Sequence, residues 1–143
     1  MDQYIEFISN HPVLSLAWVG IVFLIVSGWI KSMFSSIRKI DPQQLTMLVN
    51  RENGQVVDIR TQKEFVAGHI TDAEHLSPEN AKKSDFSGLE KFKSKPIILV
   101  CTTGMTAQST ASAMHKAGFE NIYVLAGGMG AWQSASLPTI TGR

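Results

Sequence analysis

The chain opens with one long apolar block and then breaks into short ones. Between Glu6 and Lys31 lie 24 residues without Asp, Glu, Lys or Arg. Within that block, Val13–Ile30 is filled almost continuously by Leu, Ile, Val, Phe and Trp. As a helix the uncharged block would be roughly 36 Å long, enough for the ~30 Å hydrocarbon core of a bilayer. A buried helix of a soluble core is the alternative, but such helices rarely exceed ~18 consecutive apolar residues. A cleaved signal peptide starts basic and ends in a small-residue cleavage site. Here the start is acidic (Asp2, Glu6), and no such site follows. The pattern predicts a short tail over 1–12, a single retained transmembrane helix over 13–30 and a juxtamembrane linker over 31–40.

Beyond residue 40 the apolar runs are only four or five residues long. Gln55–Ile59 and Asn121–Leu125 read as strands. Ile97–Val100 lacks polar alternation, which suits a central strand covered on both faces. Helix signals fall between them. Asp41-Pro42-Gln43-Gln44 combines a capping acid, proline at the first position and Gln three residues after the cap, and Asn53-Gly54 closes that helix. Thr61-x-x-Glu64 is a second capping box. Glu74–Leu76 reads as a short strand, Leu89–Phe92 as a helix and Met129–Ser134 as another. Strands alternating with helices predict an α/β domain on a mostly parallel sheet over 41–138, with 139–143 a fraying tail.

Charge sets the orientation and removes one class of partner. Lys31, Arg38 and Lys39 follow the apolar span and no Lys or Arg precedes it, so the domain is expected on the cytoplasmic side. Of 13 basic and 12 acidic residues, ten of each lie beyond residue 40. A domain of zero net charge has no electrostatic footprint for nucleic acid. One cysteine makes no internal disulfide, which fits a reducing compartment. One cysteine with scattered histidines also makes no zinc set.

That cysteine heads the stretch on which the chemistry turns, Lys95–Gly118. Cys101 sits where the buried strand ends, Gly104 lies in the loop after it, and small residues and helix formers run from Ala107 to a stop at Gly118. Loop amides and the helix's unpaired amides would converge on the sulfur or on what it carries. Such a site favours an anion and a thiolate over a thiol. The expectation is a nucleophilic Cys101 cradled by Thr102, Thr103, Gly104, Met105, Thr106 and Ala107. The competing reading is a small buried core residue.

Three motifs then meet a known family. Val57-Asp58-x-Arg60-x3-Glu64-Phe65-x2-Gly68-His69-Ile70, continuing to Ala73-x-His75-Leu76, resembles the first signature of rhodanese-like domains. Ile98-Leu99-Val100-Cys101-x2-Gly104 resembles their active-site loop, and Leu125-x-Gly127-Gly128-x3-Trp132 their C-terminal signature. The resemblance implies an α/β fold with a roughly five-stranded, mostly parallel sheet flanked by helices, here preceded by one transmembrane helix. It implies sulfane sulfur carried as a Cys101 persulfide, with no separate cofactor and no metal. A sulfur donor and a thiol or cyanide acceptor would be the partners. Asp58 and Arg60 would support the loop from the neighbouring strand end, while His69 and His75 fall at structural positions of the pattern. With its single anchor the chain is similar to bacterial inner-membrane members of the family. That implies a single-pass protein of the inner (plasma) membrane, bound to the bilayer through 13–30 and open to a membrane-protein partner.

Two other functions are compatible with the fold. Phosphatases on a related fold need arginine six positions after the cysteine, to take two phosphate oxygens. That position is Ala107. A membrane-tethered scaffold with a vestigial cysteine is the other alternative. The loop also lacks the Arg or Lys with which sulfur-transferring relatives often hold anionic donors. Low turnover with thiosulfate is therefore expected, and a protein-borne persulfide becomes a candidate donor.

Overall fold

The computed structural model describes residues 1–33 and 37–142. The chain divides into two units, Met1–Ser35 and Ser36–Arg143. The first holds two helices, α1 (Asp2–Asn10) and α2 (Pro12–Met33). The stretch read as a tail over 1–12 is thus mostly helical. It breaks at His11, whose φ of −132° and ψ of 65° are not helical, because the residue before proline is pushed out of the α region. At 22 residues, α2 is about 33 Å long and overruns the expected 13–30 at both ends. No residue of Pro12–Ile30 is buried.

The second unit is built on five strands: β1 (Ile37–Ile40), β2 (Gln55–Asp58), β3 (Glu74–His75), β4 (Ile97–Val100) and β5 (Ile122–Leu125). Their order is β1-β5-β4-β2-β3, and every pairing is parallel. The expected sheet is there, with β4 at its centre. One expectation needs correcting. Ile37–Ile40 was read as part of a linker, but it pairs with β5 in the register Ile37↔Ile122 to Ile40↔Leu125. A two-faced edge strand needs apolar residues only where it meets the core, so Ile-Arg-Lys-Ile passes for a basic connector.

Side-chain alternation along β4 divides the core in two. Ile97 and Leu99 point to one face, where they pack with Ala107, Ala111 and Met114 of helix α6 (Met105–Lys116). Ile98 and Val100 point to the other, where Leu45 of α3 (Pro42–Glu52) and Met129 and Trp132 close the layer. All four β4 residues are at most 1% exposed, as expected of a strand covered twice. The capping boxes at Asp41 and at Thr61, which opens α4 (Gln62–Ala67), both form. Pro78–Lys82 is α5 and Gly128–Ser134 is α7, while Ser87–Phe92 is a 3-10 turn in place of the expected helix. The end of the chain is pinned. His69 and Ile140 exchange backbone hydrogen bonds of 2.9 and 2.8 Å, and the Gly142 amide donates to Val66 O at 2.9 Å. The fraying-tail reading of 139–143 is corrected to that extent.

Candidate active site

Cys101 follows directly on β4, at the carboxyl end of the central strand, where open α/β sheets bind their ligands. It is 5% exposed. The Gly104 amide donates to Cys101 Sγ at 2.8 Å. Gly104 manages this with a φ of +89°, a left-handed conformation that favours glycine. It is also the cap of α6, with no side chain bonding the first turn. The amides of Met105, Thr106 and Ala107 belong to that turn, which an α-helix leaves without internal acceptors. The sulfur therefore sits at the positive end of a 12-residue helix.

The remaining loop residues divide by exposure. Thr102, Thr103 and Thr106 are exposed, and Met105 is 81% exposed, so these four rim the site. The Ala107 side chain is fully buried against the core, and only its backbone belongs to the cradle. No residue from Thr102 to Ala107 carries a charge. An acid, Glu64, stands in the first turn of α4. Hydrogen bonds from the Thr61 hydroxyl and amide, then the Arg60 charge and the Thr102 hydroxyl, hold its carboxyl below the usual range. A carboxylate therefore stands beside the Thr102 edge of the loop.

Asp58 and Arg60 form a buried, forked ion pair. Arg60 Nη2 lies 2.6 Å from Asp58 Oδ2, and Arg60 Nε lies 2.9 Å from Oδ1. Arg60 Nη2 also donates to Gly68 O at 2.7 Å. These bonds stay within the segment 58–68 and do not reach the sulfur. The connection to the site is through the backbone between the two residues, where the Ile59 amide donates to Val100 O at 2.9 Å. His75 Nε2 lies 2.7 Å from Arg60 O, and His69 Nδ1 lies 2.7 Å from Phe65 O. Both histidines thus bind backbone carbonyls away from Cys101.

In sequence Gly127-Gly128 figures only within the third motif, and its place in the site was missed. The Met129 amide donates to Cys101 O at 2.8 Å, and the Gly130 amide donates to Thr102 O at 3.3 Å. Gly128 has a φ of +55°, and a Cβ there would stand 2.1 Å from Cys101 O. A Cβ on Gly104 would in turn stand 3.1 Å from Gly127 N. The two loops lock backbone to backbone, and that contact aims the carbonyls away and leaves the Gly104 amide for the sulfur. The available signal was the glycine pair itself, in the third motif.

Fold, motifs and site together define the class. The family model for the rhodanese-like domain matches residues 41–135, and the chain belongs to that family. Among its relatives, YibN of Escherichia coli strain K12 is 36% identical over 143 residues, the full length of both chains. The thiosulfate sulfurtransferase GlpE of Pseudoalteromonas translucida is 38% identical over 100 residues, covering 70% of this chain and 92% of that one. A rhodanese-related protein of Thermoplasma volcanium superposes with a TM-score of 0.65 at 20% identity, covering 73% of this chain and 99% of its own. That last likeness concerns the fold alone.

Proposed function

We propose that this chain is a membrane-anchored sulfurtransferase that carries sulfane sulfur on Cys101. The observation that carries the reading is the sulfur's position, at the end of the central strand, against the Gly104 amide and at the head of α6. The thiolate attacks the outer, sulfane sulfur of a donor. The donor's bond to that sulfur breaks, its electron pair leaves with the donor fragment (a thiolate or sulfite), and Cys101 becomes a persulfide. An acceptor thiolate or cyanide then attacks the outer sulfur, and Cys101 leaves as thiolate, so two displacements replace one. No electrons are lost overall. The amides of the loop and first turn stabilise the anionic persulfide, as preorganised donors do for developing charge.

The uncharged rim and the Glu64 carboxylate beside it disfavour small dianionic donors. A persulfide presented by another protein carries at most one charge and can be held by contacts between the two proteins along the uncharged rim of threonines and Met105. The 22-residue helix α2, uncovered by the rest of its unit, supports anchoring at the inner membrane with the domain in the cytoplasm. The test is mass spectrometry of the full-length protein in detergent after incubation with thiosulfate or with a thiol persulfide. The expected result is a gain of one sulfur atom on the wild type and none on Cys101→Ser, with the persulfide donor loading faster. No gain with either donor would leave the scaffold reading in its place.

A further inference from the structure

The groove between edge strand β1 and helix α3 takes no part in this chemistry. It has a volume of about 360 Å³, with the cations Arg38 and Arg51 in its lining and Glu52 as its one acid. Arg38 shares the α3 face of β1 with Ile40, while neighbouring Lys39 contributes backbone and turns its side chain to the other face. Arg60, Lys91 and Lys93 elsewhere in the domain have carboxylate partners. Among the described residues, neither Arg38 nor Arg51 forms a salt bridge. Tyr123 adds a hydroxyl to the lining. Two guanidinium groups beside one opening suit a phosphate, which arginine binds through paired N–H donors. Met47 also lines the groove and is 51% exposed. It offers an apolar contact that a phosphodiester on a glycerol backbone uses and a free phosphate ion does not.

The covalent chain limits where these cations can go. Arg38 follows Met33, the last residue of α2, by five positions, a reach of at most roughly 18 Å. We propose that the groove binds the phosphate headgroup of an anionic phospholipid and so holds the domain to the bilayer surface in one orientation. This rests on the anchored reading above. It assigns Arg38 and Arg51 a binding role within the folded domain, which for Arg38 goes beyond its part in setting topology. Each Lys or Arg near an anionic surface strengthens binding by about fivefold, so removing two weakens it about thirtyfold.

The experiment is a titration of the full-length protein in detergent micelles, followed by native mass spectrometry. Phosphatidylglycerol, phosphatidylcholine and inorganic phosphate are the three probes. Phosphatidylglycerol is expected to bind in preference to phosphatidylcholine. The Arg38→Gln/Arg51→Gln variant should bind it about thirtyfold more weakly, and Lys116→Gln, in the last turn of α6, should keep the wild-type affinity. Should the double variant melt earlier than the wild type, Arg51→Gln alone, on an exposed helical turn, is expected to lose about fivefold. Equal binding of the two lipids overturns the proposal, as does loss in Lys116→Gln with retention in the groove variants. Inorganic phosphate binding as tightly as the lipid would make the groove a free-anion site and overturn it too. A full-length protein that stays in solution without detergent would instead defeat the anchored reading, a different observation from any of these.

Discussion

Two unbroken apolar runs in this chain have opposite fates. In β4, Ile97–Val100 is at most 1% exposed, whereas in α2 Leu24 and Phe23 are each 70% exposed. Composition does not separate them; length and neighbours do. Four residues extended through the middle of a sheet find covering helices on both sides within their own chain. The 22-residue helix α2 has no buried residue over Pro12–Ile30, which is what the proposed anchoring requires of it. The burial of β4 belongs to folding, and on the proposed anchoring that of α2 belongs to the membrane.

Substitutions can break or sharpen this contrast. The largest effect is expected where β4 hands over to the site. Gly128→Ala puts a methyl group into the Cys101 carbonyl, so either the two loops separate or the turn is rebuilt. We expect a loss of about 4 kcal/mol or more in denaturant unfolding, and loss of sulfur loading at Cys101 by mass spectrometry. Next comes the direct comparison. Leu99→Ala should cost about 3 kcal/mol, read in the same unfolding curve, while Leu24→Ala should leave that curve where it is. Equal shifts from the two would show that α2 is packed by the domain after all.

The smallest effect is expected at α4. Thr61→Ala removes the hydroxyl that bonds the Glu64 amide and carboxylate and should cost about 1 kcal/mol. It should also let the Glu64 carboxyl titrate nearer its ordinary range, seen by NMR of the carboxyl carbon. The sign follows from the depressed folded-state value. The wild-type contribution is present above the unfolded pKa and fades as pH falls through the folded one. In Thr61→Ala that acid-side loss of stability should flatten.

Much of the domain was legible because its signals are local. The two capping boxes, the doubly covered strand, the cysteine at its end and the glycine after it all follow from neighbours a few residues apart. What was misread depends on distant partners. Ile37–Ile40 becomes a strand only because Ile122–Leu125 lies beside it, and Thr139–Gly142 is pinned only because His69 and Val66 have free backbone groups in reach. The reading of Asp58 and Arg60 as supports for the loop met a subtler arrangement. Their side chains bind each other and Gly68, and the link to Cys101 runs through the amide of Ile59 between them.

By itself the order of residues determined which segments are apolar on one face, on two or all round, where helices start and stop, and that one sulfur would end the central strand. Tertiary structure alone decided which amide reaches that sulfur. Gly104 and Gly128 lie far apart in the chain, and neither conformation has a reason until the two backbones press together. Hydrophobic patterning acts through neighbouring residues and can be read along a line. Close approach of backbones, and the direction of the dipoles it leaves free, exists only in three dimensions.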